Sequence, residues 1–203
     1  AELMAGVDNE DNEIPHSLIV NPDGELYILG TTGSGNFPVS SNAYDQTFDG
    51  GSNATVTNVV EFPNGSDIFI AKLSADGSQL LASTFVGGTS NDGLNLSGIL
   101  QYNYGDHARG EIILDEQSNC YVASTTTSSD FPASTGALQP NASGGQDGVL
   151  FKLNSDLSSL NWATFVGGSN DDACYSVKID TVGNIYSCGG TASSDFQSTI
   201  GGL

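Results

Sequence analysis

DIFIAKLSADGSQLLASTFVGG (residues 67–88) recurs as DGVLFKLNSDLSSLNWATFVGG (residues 147–168), and the two stretches align without a gap. Each contains two apolar runs, rich in Ile, Val, Leu, Phe and Ala, on either side of a short polar segment. Such a pattern is typical of a β-hairpin. Both copies end in TFVGG, where we expect the two glycines to let the chain turn out of one hairpin toward the next.

A second unit occurs three times and alternates with the first. Its copies read SLIVNPDGELYILGTT from Ser17, EIILDEQSNCYVASTT from Glu111 and SVKIDTVGNIYSCGGT from Ser176. Each again has two apolar runs around a turn, with a tyrosine at the same place in the second run. No stretch keeps a helical period. The sequence therefore predicts an all-β chain of ten strands in the order AB, CD, AB, CD, AB.

Four-stranded antiparallel sheets that repeat without helices bury their faces most simply by packing around an axis, as the blades of a propeller do. We therefore expect a single domain over residues 1–203, with repeats of approximately 1–88, 89–168 and 169–203. Two and a half blades do not close a ring. The chain is thus expected to be a partial propeller within a larger protein, and a sandwich of stacked sheets is the alternative arrangement.

Several motifs of these units resemble those of the SBBP family, the seven-bladed β-propeller repeat of large secreted and cell-surface proteins, particularly of Bacteroidota. The matching residues are FIAKL (69–73) with Gly-Gly (87–88), Ile-Asp (179–180) with GNIY (183–186), and SSDFP (128–132). The resemblance implies a secreted or surface-attached scaffold, a role in adhesion, and export of the type IX secretion kind. It implies no particular chemistry.

The charge balance argues against several classes of partner. Four Lys and Arg stand against 24 Asp and Glu, which gives a net charge of −20. A surface of this sign repels nucleic acid and anionic membranes. No apolar run is long enough for a membrane helix, and the first residues lack the pattern of a signal peptide. We therefore expect a soluble chain that does not insert into a membrane.

Three cysteines, Cys120, Cys174 and Cys188, form neither an even disulfide framework nor a metal-binding spacing. A hairpin that pairs Asp180 with Ile185 would not place Cys174 opposite Cys188. All three are therefore expected to be small buried hydrophobic residues.

Two insertions lengthen connections that we expect on one face of the sheets. One lies near GGSNATVTNVVEFPNGS (50–66), and the other near NLSGILQYNYGDHARG (95–110). The second insertion contains Tyr102, Tyr104, His107 and Arg109, a set that suits a sugar or peptide ligand. Long loops on a rigid scaffold are where binding usually resides. The alternative is that the tyrosines pack the loop onto its own sheet and that Arg109 pairs with a neighbouring carboxylate such as Asp106.

Carboxylates and amides follow each TFVGG. They are Asn91 and Asp92 after the first copy, and Asn170, Asp171 and Asp172 after the second. Hard oxygen ligands at a recurring turn are compatible with Ca²⁺. An Asp after Gly-Gly also caps the backbone amides of a turn, which is the alternative.

No nucleophile elbow, zinc-protease motif or phosphate loop is present, so the sequence favours a non-catalytic role over an enzyme. We predict an interaction module that binds a protein or glycan at the cell surface through the face that carries the insertions. A carbohydrate-active or lectin-like propeller is one alternative, and a component of an extracellular filament or secretion machinery is another. Further partners are the remaining blades, or a second chain that completes the sheet edges.

Overall fold

A computed structural model describes residues 12–56, 60–103 and 105–197. Its secondary structure is almost entirely β, and the one helical element among these residues is a 3₁₀ turn at Asp106–Ala108. The strands are β1 (Glu13–Val20), β2 (Leu26–Thr32), β3 (Ala54–Val56), β4 (Val60–Phe62), β5 (Asp67–Leu73), β6 (Leu80–Val86), β7 (Glu111–Leu114), β8 (Cys120–Thr126), β9 (Asp147–Leu153), β10 (Leu160–Val166), β11 (Asp172–Ile179) and β12 (Ile185–Thr191).

Strand pairing follows the order of the sequence repeats. The first sheet has the order β1-β2-β5-β6, the second has β7-β8-β9-β10, and β11 pairs with β12 in a third, two-stranded sheet. Every pairing is antiparallel. The predicted all-β class and the alternation of two kinds of hairpin are therefore confirmed. No pairing among the described residues joins these sheets into a closed barrel.

The turns of the first hairpin in each sheet (β1–β2, β7–β8 and β11–β12) share one capping arrangement. Asn21 Oδ1 accepts the backbone amides of Asp23 and Glu25 in the first sheet. Asp115 and Asp180 accept the equivalent amides in the second and third sheets. These Asx turns satisfy amides that the strands leave free, which explains why these three turns begin with Asn or Asp.

The core lies between the sheets. One buried cluster combines Tyr27, Ile68 and Ile70 of the first sheet with Val122 and Phe151 of the second. On the opposite face of the second sheet, a smaller cluster joins it to β11. That cluster contains Ala123, Cys174 and Val177, with Ile113, Leu150 and Val166 packed against it. The second sheet is therefore covered on both faces, which is what alternating apolar strands without helices require.

The cysteines of the third sheet agree with prediction in part. A β-bulge at Tyr175 shifts the register, so Cys174 lies opposite Gly189 and Cys188 opposite Ser176, and the two cysteines do not face each other, as expected. Cys120 and Cys174 are buried as expected, whereas Cys188 is exposed, so the expectation for Cys188 was wrong. The described residues form no further strand that would cover the edge of β12.

Candidate functional site

Each Gly-Gly pair lies at a crowded junction between sheets. In neither pair does a glycine adopt a positive φ, so the backbone conformation alone does not demand glycine. A Cβ on Gly87 would instead lie 2.8 Å from Oδ2 of Asp92 and 2.9 Å from Oδ1 of Asp67. At the second junction, a Cβ on Gly167 would meet Asp147 and Asp172 in the same way. Two neighbouring carboxylates therefore leave no room for a Cβ on the first glycine of each pair, a reason that the sequence did not predict.

Asp92 closes the first junction with three hydrogen bonds. Its Oδ2 accepts the Gly88 amide at 2.8 Å and the Ser128 hydroxyl at 2.8 Å. Its Oδ1 accepts the Thr126 hydroxyl. Because Thr126 ends β8 of the second sheet, Ser128 lies just beyond it and Gly88 follows the first sheet, this one carboxylate joins the two sheets.

The second junction repeats this arrangement. Asp172 Oδ2 accepts the Gly168 amide at 2.6 Å and the Ser193 hydroxyl at 2.8 Å. A further aspartate from each SSDF loop caps the amide after Gly-Gly, since Asp130 accepts Thr89 N and Asp195 accepts Ser169 N. The SSDF motif and the carboxylate after Gly-Gly therefore act as two halves of one inter-sheet clip.

The other carboxylate of each junction holds the preceding loop. Asp67 accepts the amides of Asp49 and Gly50 at 2.8 Å and 3.1 Å. Asp147 accepts those of Ser143 and Gly144 at 2.9 Å and 3.2 Å. Each long connection is thus fixed at the first residue of the strand that follows it.

These carboxylates have perturbed protonation equilibria. Burial raises the pKa of Asp92 to about 7. It raises the pKa of Asp67 to about 8, with a further contribution from the neighbouring Asp92. The pKa of Asp147 is raised by burial too. All three side chains are at most 1% exposed, so no substrate reaches them, and the perturbation reflects their structural position.

The side chains that the sequence predicted as calcium ligands have several separate roles in the structure. Asp92 and Asp172 are the clips, Asp171 accepts the Ser97 hydroxyl at 2.7 Å, and the Asn91 amide donates to Ser52. Asn170 is exposed, and its backbone amide donates to Ser193. Oδ1 atoms of Asp147 and Asp172 have no hydrogen-bond partner, but two oxygens fall short of the six to eight that Ca²⁺ takes.

Within the described ranges, no group of three or more His, Cys, Asp or Glu side chains could hold a metal. The capping role of Asp92 and Asp172 accounts for their recurrence after Gly-Gly. Calcium binding stays a prediction, and its test is a melting experiment described below.

The two insertions form one composite surface unit. The first insertion folds into the hairpin β3–β4, which the sequence did not predict. Val56 and Phe62 of this hairpin share a buried apolar cluster with Leu94, which directly precedes the second insertion. Leu96, within that insertion, packs against the cluster. Ile14 of β1 packs against the same cluster. Insertions from two different connections are therefore in contact, in agreement with the expectation that both lie on one face.

The predicted ligand-binding side chains lie on the second insertion, in different environments. Tyr102 is 83% exposed. Arg109 pairs with Asp106 at 3.1 Å, and its guanidinium carbon lies 4.8 Å from the ring centroid of Tyr175 in β11. The ion pair is the alternative foreseen for Arg109, whereas the packing expected for the tyrosines does not hold for Tyr102. Tyr104 lies outside the described residues.

His107 is partly buried, and its backbone carbonyl accepts the amide of Asn95 at 2.8 Å. Its Nδ1 is buried and has no partner among the described residues. The structure therefore brings Tyr102 and Arg109 to one surface, while His107 contributes to the inside of the loop.

Sequence reasoning missed the residues that anchor this loop. Asp106 is buried and accepts the amides of Tyr102 and Asn103 at 2.9 Å and 3.1 Å. The Tyr175 hydroxyl donates to the carbonyl of Leu100 at 3.0 Å. Gln146 Oε1 accepts the backbone amide of Leu96 at 2.7 Å. Tyr175 and Gln146 lie far from this loop in the sequence, so sequence spacing does not indicate that they contact it.

Among the described residues, no helix has the length and apolar character needed to cross a bilayer. The geometry combines rigid, fully capped sheet junctions with one composite loop surface. Comparison with known proteins adds no assignment, because no protein-family model and no curated protein sequence matches the chain.

Proposed function

We propose that the chain is part of a β-propeller in a secreted or cell-surface protein of the SBBP kind, and that it acts as a non-catalytic interaction module. Its partner, a protein or a glycan, binds the composite surface made by the two insertions. The sheets serve as the scaffold that holds this surface.

The propeller arrangement is supported by how the sheets pack. The second sheet is covered on one face by the first sheet and on the other by β11. The first strands of successive copies lie near one another, since β7 contacts both β1 and β11. Consecutive sheets joined by identical clips, with their first strands close together, are what packing around a common axis requires.

The binding role rests on one observation: the two insertions share a buried core and present an exposed aromatic side chain. A loop that is merely tolerated does not need its own apolar cluster or a hairpin such as β3–β4. Tyr102 is 83% exposed on this unit, and the side chain of Arg109 is 51% exposed. Both are tied to Asp106, which accepts the Tyr102 amide and pairs with Arg109. An exposed aromatic ring and a guanidinium on one loop suit either a sugar ring or a peptide.

The test is binding of the full chain to a glycan array and to an array of cell-surface proteins. Tyr102→Ala is expected to weaken binding about tenfold or more, because an exposed aromatic anchor commonly contributes more than 1 kcal/mol. Val182→Ala is the matched control, since Val182 is 81% exposed but lies in the turn of the third sheet.

Equal loss in both variants would contradict the assignment of the surface. Unchanged binding by Tyr102→Ala would do the same. Turnover of any bound polysaccharide would contradict the non-catalytic role.

A further inference from the structure

In the first sheet, a lysine of β5 contacts a tyrosine of the neighbouring strand β2. Lys72 of β5 lies directly opposite Tyr27 of β2. Its ammonium group lies 5.2 Å from the Tyr27 ring centroid and 2.7 Å from a carboxylate oxygen of Glu25. Aromatic ring and carboxylate thus hold the same cation.

The second sheet repeats this contact. Lys152 of β9 lies opposite Tyr121 of β8, with its ammonium group 4.5 Å from the ring centroid. It donates to the Tyr121 hydroxyl at 2.8 Å and pairs with Asp115 at 3.0 Å. A tyrosine, a turn carboxylate and a lysine from the adjoining strand therefore form a recurring triad.

The third sheet has the tyrosine and the carboxylate of this triad. Tyr186 of β12 occupies the position of Tyr121, and Asp180 occupies that of Asp115. Lys178 of β11 also lies opposite Tyr186, but its ammonium group pairs with Glu111. The Tyr186 hydroxyl donates directly to Asp180 Oδ2 at 3.2 Å. Tyr186 is 58% exposed, whereas Tyr121 is partly buried. The cradle for a lysine is thus formed, and no described strand covers it.

Residues 1–203 do not supply the missing cation. The sequence contains four Lys and Arg residues. Lys72 and Lys152 complete the first two triads, Arg109 pairs with Asp106, and Lys178 pairs with Glu111. All four are engaged, so a second copy of this chain also has no spare cation to offer.

We propose that the free edge of β12 binds a partner β-hairpin of the β9–β10 type, outside these residues, whose lysine lies opposite Tyr186 and bridges it to Asp180. The strand registers of the first two sheets define the partner. It adds antiparallel to β12 and places a leucine opposite Ile185, as Leu73 lies opposite Leu26 and Leu153 opposite Cys120. This edge is separate from the insertion surface, so the inference rests on the repeated four-stranded sheets of the proposed propeller and not on the binding role of the insertions.

Cys188 provides a direct measurement. It is exposed on β12, and the registers of the first two sheets would place an apolar side chain of the added strand beside it, as Ile70 lies opposite Leu29 and Leu150 opposite Ala123. The other two cysteines, Cys120 and Cys174, are buried and should react slowly with a thiol reagent. A hairpin bound at this edge should therefore protect the one fast-reacting thiol.

The probe is a 22-residue peptide, about the length of one hairpin, with the sequence of residues 147–168, added to the full chain. We expect saturating peptide to slow the reaction of Cys188 at least tenfold. A peptide with Lys152→Met, which keeps the length of the stem but not the charge, should bind about tenfold more weakly. Asp180→Asn in the protein should weaken binding by a similar factor, whereas Asp76→Asn, in an exposed turn of the first sheet, should not.

Each other outcome would overturn the proposal. Absence of protection would show that β12 does not accept this hairpin. Equal protection by the lysine and methionine peptides would show that binding at Tyr186 and Asp180 does not depend on the positive charge. Protection that rises with protein concentration alone would identify a second copy as the occupant.

Discussion

Replacing Gly87 by alanine would place a methyl group against two buried carboxylates. The new Cβ would lie 2.8 Å from Asp92 Oδ2 and 2.9 Å from Asp67 Oδ1, which is closer than such atoms approach in folded proteins. Neither carboxylate can move freely, because Asp92 accepts the Gly88 amide and Asp67 accepts two loop amides. The substitution therefore forces the junction apart or breaks a hydrogen bond.

Two contributions set the expected loss of stability. Overpacking in a filled interior costs about 1–3 kcal/mol. Displacing Asp92 from an amide or hydroxyl donor removes a hydrogen bond worth about 1 kcal/mol or more. We expect the free energy of unfolding to fall by about 2–4 kcal/mol, which lowers Tm by roughly 4–16 °C for a chain of this size.

The assay is chemical and thermal unfolding of the Gly87→Ala variant beside Gly98→Ala. A Cβ on Gly98 would meet nothing within 4 Å, so that control should change stability by less than about 0.5 kcal/mol. If the two variants had the same stability, crowding by the carboxylates would not be the reason for the glycine.

Three further predictions concern protonation, the insertions and calcium. Burial raises the pKa of Asp92 to about 7 and of Asp67 to about 8, so the folded state holds protons that the unfolded chain, with a pKa near 3.8, releases. The free energy of unfolding should therefore fall as pH rises from about 4 to 8. In unfolding titrations, Asp92→Asn should reduce this dependence on pH. An unchanged dependence would show that protonation of Asp92 is not its cause. Phe62→Ala should cost about 3–5 kcal/mol and weaken partner binding, since Phe62 is fully buried between the insertions; unaltered stability would argue against the shared core. If calcium binds, millimolar Ca²⁺ should raise Tm in a way that Asp171→Asn with Asp172→Asn abolishes, and no rise would dismiss it.

The sequence predicted the hairpins because their determinants are local. Alternating apolar residues and a turn that begins with Asn, Asp or Ser specify each pair of strands without reference to the rest of the chain. The repeats then placed Tyr27, Tyr121 and Tyr186 at one position, and the strand registers confirm that each lies in the second strand of its sheet.

The parts that escaped prediction depend on contacts between distant segments. Strands β3 and β4 have three residues each, too few for a period, and they are stabilised by Leu94, which directly precedes the other insertion. Tyr175 anchors Arg109 across a large separation in sequence. The reason for Gly87 was also hidden, because it lies in the carboxylates of Asp67 and Asp92, whose proximity only the folded chain reveals.

The clips at the sheet junctions also determine how the protein comes apart. Asp92 accepts the Gly88 amide that follows the first sheet and a hydroxyl at the end of β8 in the second. Asp172, the first residue of β11, accepts the Gly168 amide that follows the second sheet. No sheet therefore keeps all of its hydrogen bonds when it is excised, and stability grows with the number of neighbouring pairs, as in a one-dimensional array. The loss of one clip should therefore lower the stability of both sheets that it joins.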